Sequence, residues 1–131
     1  MTSLTVTDLN MLNEVCDKLL LEPGVRFAGL VNHMGNRIAG GFKDGISPYV
    51  DYTKEHMMYM ELVLDLKMRS EFNNELGPVE YIHSRRGKVN MISIPLDNLI
   101  MVIATEREVN VPRLVNLATS EFESRYKSAR S

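Results

Sequence analysis

One stretch of the chain, Thr53 to Asn74, constrains every fold open to it. It reads TKEHMMYMELVLDLKMRSEFNN, enough for a helix of about six turns. Met57, Met58, Tyr59, Met60, Leu62, Val63, Leu64, Leu66, Met68 and Phe72 fall almost all the way round a helical wheel. Glu61, Asp65 and Arg69 form its clean polar strip, at the i, i+4 spacing of helix-surface ion pairs. A helix on the surface of a small domain shows one apolar stripe. This one carries more apolar surface than one sheet can cover. Its second face needs a second partner, and the simplest is another copy of the chain.

The rest of the sequence supplies the sheet. Helix one is expected from about Asp8 to Glu22, with Thr7 as its N-cap and Val6 and Met11 as a hydrophobic staple. Leu9, Leu12, Cys16, Leu19 and Leu20 share one face, and Pro23-Gly24 ends the helix. Val25 to Val31 reads as a strand, Asn32 to Gly35 as a turn, and Asn36 to Phe42 as a return strand. Gly40-Gly41 marks that return strand as an edge with a bulge or a close backbone approach. Residues 43–52, KDGISPYVDY, are a loop, and the long helix follows, stopping at Gly77-Pro78. Val79 to Arg85 is a third strand, Arg86-Gly87 a hairpin turn, Lys88 to Ile94 a fourth strand, and Pro95 to Asn98 another turn. Leu99 to Thr105, LIMVIAT, is apolar on both faces and belongs in the centre of a covered sheet. Asn110 caps a last helix from Val111 to about Lys127, with Pro112 in its first turn.

At 131 residues the chain is one domain spanning residues 1–131. A net charge of -2 provides no field for nucleic acid or anionic membrane. No apolar run is long enough for a membrane span, and the first ten residues lack the pattern of a signal peptide. The single cysteine, Cys16, forbids an intrachain disulfide and a cysteine-based zinc site; this suits a cytoplasmic protein. It lies on the apolar stripe of helix one and reads as a core residue.

The element order is α-β-β-α-β-β-β-α. With the words GVRFAGLVNHMGNRIAGG and NLIMVIAT and the long second helix, it resembles the roadblock/dynein light chain family within the wider profilin-like group. The words LGPVEYIHSRRGKVNMISIP also resemble an uncharacterised archaeal family of this shape. The resemblance implies an α+β fold: a five-stranded antiparallel sheet in order 2-1-5-4-3, with helix two on one face and helices one and three on the other. It implies dimerisation through helix two and the third strand, making one sheet across two subunits. Members act as scaffolds, as regulators of small GTPases, or as motor adaptors. The expected homodimer interface is Met57, Met60, Leu64 and Met68 of the helix with Val79, Tyr81 and Ile82 of the strand. In that order the third strand is an edge, and an unblocked edge is a template for pairing.

Other residues are weighed for chemistry. Arg85, Arg86 and Lys88 put three cations on a tight turn. They offer a contact for an anion or an acidic partner, or they simply keep the turn solvated. His33, His56 and His83 share no metal-ligand spacing, so no metal site is expected. Asp51, Glu55 and His56 sit at a helix start, where acids usually complement the dipole. No nucleophile motif, phosphate loop or cofactor motif is present. The expectation is a non-enzymatic homodimer without a cofactor, a scaffold or regulator that binds another protein, with a small GTPase as one candidate. The alternative is a sensor with a small molecule between the sheet and helix two, near Gly40, Gly41 and the 43–52 loop.

Overall fold

The computed structural model describes residues 3–130. Helix α1 is Val6–Leu20, β1 is Val25–Val31, β2 is Arg37–Phe42 and α2 is Tyr52–Arg69. A 3-10 turn (Ser70–Phe72) and a helical turn (Asn73–Leu76) extend α2. Then come β3 (Ile82–Arg85), β4 (Asn90–Leu96), β5 (Leu99–Thr105) and α3 (Val111–Phe122), which runs on through a π-helical turn, Glu123–Lys127. The strands form one sheet, all pairs antiparallel, in the order β2-β1-β5-β4-β3. This is the expected α+β architecture, with α1 and α3 on one face and α2 on the other.

Strand alternation builds two apolar layers. Ala28, Leu30, Ile92, Ile94, Met101 and Ile103 point toward α1 and α3, where they meet Leu12, Cys16, Leu19, Leu114 and Phe122. Phe27, Val31, Ile100 and Val102 point the other way, toward Tyr59 of α2. β5 feeds both layers, as its two-sided apolar sequence requires. On β1, Val25 joins the same layer as Ala28, and the register slips between Val25 and Phe27 to permit it. Cys16 is fully buried in the first layer.

Several boundaries differ from expectation. The N-cap of α1 is Thr5, two residues before Thr7. Thr5 has Asp8 three residues on, and the two close a capping box: the Thr5 amide donates to Asp8 Oδ2 (2.9 Å) and the Asp8 amide to Thr5 Oγ1 (3.0 Å). Thr7 would find Asn10 there instead. β3 is shorter than the Val79 to Arg85 strand, because Val79, Glu80 and Tyr81 lie before the ladder begins. β4 runs through Pro95 to Leu96, so the turn contracts to Asp97 and Asn98, with Asp97 at φ 55°. Proline is tolerated because β3 stops at the Ile82–Ser93 pair. The position of its missing N–H is on the side away from β5, where no strand lies beyond that pair to need it.

Burial raises the Cys16 thiol from its ordinary 9.0 to about 12; the nearby Asp17 charge adds to this and Arg37 partly offsets it. The sign follows directly. Between those values the unfolded chain binds fewer protons than the folded one, so this contribution to stability is full below pH 9 and is lost as pH rises toward 12. At pH 8 the native protein is expected to resist a thiol reagent such as a disulfide chromogen, and to react stoichiometrically once denaturant unfolds it. Rapid labelling of the folded protein would contradict the buried placement.

Candidate interaction face

The apolar excess of α2 divides as two faces. Asp51 caps the helix by accepting from the Lys54 amide (2.8 Å). From there Tyr59 is buried, and Met58, Leu62, Val63 and Leu66 pack half-buried against the second layer. Met57, Met60, Leu64 and Met68 recur at i, i+3, i+7 and i+11 on the opposite flank, with relative exposures of 56%, 37%, 54% and 65%. Phe72 and Leu76 continue the exposed apolar surface past the helix end. Met60 is the least exposed because it lies against the β1–β2 turn: a side chain added at Gly35 (φ +81°) would collide with its sulfur.

The helix does not cover its whole side of the sheet. It lies over β1 and β5, against Phe27, Val31, Ile100 and Val102. Beside it a groove of about 710 Å³ remains over β3 and β4, with Ile82, Ser84, Met91 and Ser93 along its floor. Tyr49 and Val50 of the preceding loop close one end. Gly40 and Gly41 are not among its lining residues, but Tyr49 and Val50 of the 43–52 loop are, so only the loop part of the expected pocket lies on the groove. Phe42 of β2, whose ring packs edge-on against Phe27 (centroids 4.8 Å apart), also lines the groove.

The strand residues separate. Ile82 is half-buried on the groove side, whereas Tyr81 packs against the first layer and Val79 lines a hollow beside α3 and β4. Among the described residues, β3 ends the sheet with no strand on its outer side. The edge available for pairing is therefore Ile82–Arg85.

The hairpin tip has local work that its sequence did not disclose. Arg85 Nη1 donates to the Arg107 carbonyl (3.0 Å), and Lys88 Nζ lies 5.1 Å from the Tyr49 ring centroid. Arg26 takes the other contact with Tyr49 at 4.4 Å, and is itself fixed by Glu106 (3.0 Å) and the Ser47 carbonyl (3.2 Å). Behind the tip, buried Asn90 donates from Nδ2 to Thr105 Oγ1, the Glu106 carbonyl and the Arg107 carbonyl at 3.2–3.3 Å. Its Oδ1 accepts from His83 Nε2 at 2.9 Å. No spacing rule in the sequence marks Asn90 for this; the three oxygens it donates to lie fifteen or more residues away.

Glu55 is a second surprise. It is 8% exposed and lies close enough to Tyr59 to act on its hydroxyl. Burial pushes that hydroxyl well above the usual phenol range, and the Glu55 charge pushes further. Asp51 and Glu55 thus divide between capping and burial. His33, His56 and His83 stay on separate elements, and among the described residues no three His, Cys, Asp or Glu side chains converge as a metal site would require. No helix there is long and apolar enough to cross a membrane.

This arrangement of sheet and helices is the roadblock/LC7 fold. The gliding protein MglB from Thermus thermophilus matches with a TM-score of 0.75 at 11% identity, over 95% of each chain. An MglB structure with a tetrameric arrangement matches at 0.77 and 13% identity, over 97% of this chain and 93% of that one. A roadblock/LC7 domain from Streptomyces avermitilis matches at 0.70 and 11% identity, over 92% and 98%. No curated protein is similar enough in sequence to count as a relative. Residues 5–127 match the family of unknown function DUF6659, and the chain belongs to that family.

Proposed function

We propose that this protein is a non-enzymatic, single-domain homodimer of the cytoplasm that works by binding another protein, as a scaffold or regulator. The observation that carries the reading is the exposed stripe Met57, Met60, Leu64 and Met68 on α2; an open groove along another flank of the helix and the free edge of β3 add to it. Contiguous exposed apolar surface of this kind marks an interface. The twin's stripe packs against this one, and β3 pairs with its symmetry mate, flanked by Tyr81 and Val79. The tetrameric MglB arrangement supports self-association of this fold. The roadblock resemblance supports a small GTPase as the class of the further partner.

Light scattering on wild-type protein at micromolar concentration is expected to give twice 14.9 kDa. Leu64→Asp should yield a folded monomer, because Leu64 is 54% exposed and its loss opens no cavity in the sheet. Placing a carboxylate in a desolvated interface costs several kcal/mol, so the dimer should weaken by at least about a hundredfold. A wild-type monomer, or a Leu64→Asp protein that dimerises normally, would sink the model.

The groove itself favours a second reading. About 710 Å³ with an apolar floor and a few polar groups is the size and character of a small-molecule site. Native mass spectrometry of freshly purified protein tests this: a retained metabolite supports sensing, and its absence with a protein partner captured favours the scaffold.

A further inference from the structure

The groove carries cations toward one end and exposed acids farther along α2, with buried Glu55 the helix acid nearest the cations. Lys88 and Arg26 flank Tyr49, and Tyr49 lies just before the Asp51 cap of α2. The hairpin tip and the start of α2 therefore share one end. Glu61 and Asp65 also line the groove, but they lie farther down the helix, about 15 to 20 Å from the cap at 1.5 Å per residue. On the sheet wall the same direction runs from Arg86 and Lys88 back along β3 to Ile82. Along the helix these acids thus lie more than the screening length of about 8 Å from the cap that the tip adjoins.

A two-fold axis changes this. If β3 pairs with a second β3 running the opposite way, Arg85 of one copy lies near Ile82 of the other. The tip of each then stands over the far end of the other's groove, where Glu61 and Asp65 are. Four residues of β3 span about 13 Å, close to the separation of the two charged ends along α2. Symmetry makes the contact twice.

We infer that Arg86 and Lys88 of each copy pair with Glu61 and Asp65 of the other, and that this charge lock sets the orientation and register of the dimer. Asp65 already shares its charge with Arg69 (2.8 Å), so Glu61 carries the larger part. The inference rests on the β3-paired homodimer proposed above. The apolar stripe drives association, while opposed charges reject the parallel and slipped pairings that the stripe alone would allow.

The test uses two charge-reversed proteins, R86E/K88E and E61K/D65K. Each alone would face like charge with like across the axis, and its dimer dissociation constant should rise at least about tenfold. Mixed in equal amounts, the acidic tip of one meets the basic helix of the other, and the original pair remains on the second side. The mixture should therefore dimerise as wild type does. If both reversed proteins dimerise normally, the lock is overturned while the homodimer stands. If each dissociates and the mixture does not recover, the lock is equally overturned. A monomeric wild type removes both. Should either reversed protein melt well below wild type, the neutral set R86Q/K88Q and E61Q/D65N replaces it. Those dimers must then weaken and lose the salt dependence of the wild-type constant; an unchanged salt dependence overturns the lock.

Discussion

Gly40→Ala is expected to lose about 3 kcal/mol of folding stability, read as a lowered urea midpoint with unchanged slope. Two costs combine. Gly40 has φ +84°, where an L side chain pays about 1–2 kcal/mol. A methyl group there would also overlap the Ala28 carbonyl oxygen and come within 2.7 Å of Gly29 Cα and 2.8 Å of Cys16 Sγ. The first two contacts are backbone of the neighbouring strand and cannot rotate aside. Relief would require β1 and β2 to separate where Gly29 pairs with Gly40, and would break the 2.9 Å bond from the Gly40 amide to Asn13 Oδ1. Gly45→Ala isolates the first cost: Gly45 has φ +82° with no atom within 4 Å of the added carbon. It should lose about 1–2 kcal/mol. Equal losses at the two positions would mean that the close approach at Gly40 is not a constraint.

Asn90→Asp should cost a comparable amount, about 3 kcal/mol at pH 7, for a different reason. Asn90 is fully buried, and its amide nitrogen faces three oxygens, two of them carbonyls with no proton to give. The Thr105 hydroxyl proton is already spent on the Glu106 carbonyl at 2.8 Å. A carboxylate would turn a donor into a charged acceptor among acceptors. The introduced carboxyl should accordingly titrate well above the usual carboxylate range. Its protonated form can donate, so part of the lost stability should return as pH falls through that raised value. Asn90→Ala, which removes the bonds without adding charge, should lack this acid recovery. A pH-independent loss in Asn90→Asp would show that charge is not the cause. The change also loosens the Glu106–Arg107 segment that holds Arg85, so weaker dimerisation should accompany it if the tip takes part in the interface.

Much of the fold was legible because periodicity and punctuation are local. The two-sided apolar strand Leu99–Thr105, the Gly40-Gly41 edge and the Asn110 cap with Pro112 each follow from neighbours in sequence, and each stands where expected. The excess apolar surface of α2 was equally plain, and it divides into a packed face and an exposed stripe. Thr5 displaced Thr7 as a cap because a reciprocal bond to Asp8 outweighs a lone hydroxyl. That choice too was written in the sequence, in the spacing of Thr5 and Asp8. Val79 to Tyr81 read as strand because alternation shows which side chains can be buried, not which backbone groups find a partner.

The elements, their order and the apolar surplus of the second helix depend on residues a few positions apart, and so could be read from the chain alone. Tertiary structure alone decided where α2 lies on its sheet, and so which side of it is open. Packing of α2 on Phe27, Val31, Ile100 and Val102 left a groove over β3 and β4 beside it. It also decided that Glu55 is buried against Tyr59. Asn90 binds carbonyls across the sheet end in the same way, and the tip cations line one groove together with Glu61 and Asp65. All of these join groups distant in the chain, and their energies depend on separations and burial that exist only once the sheet has closed.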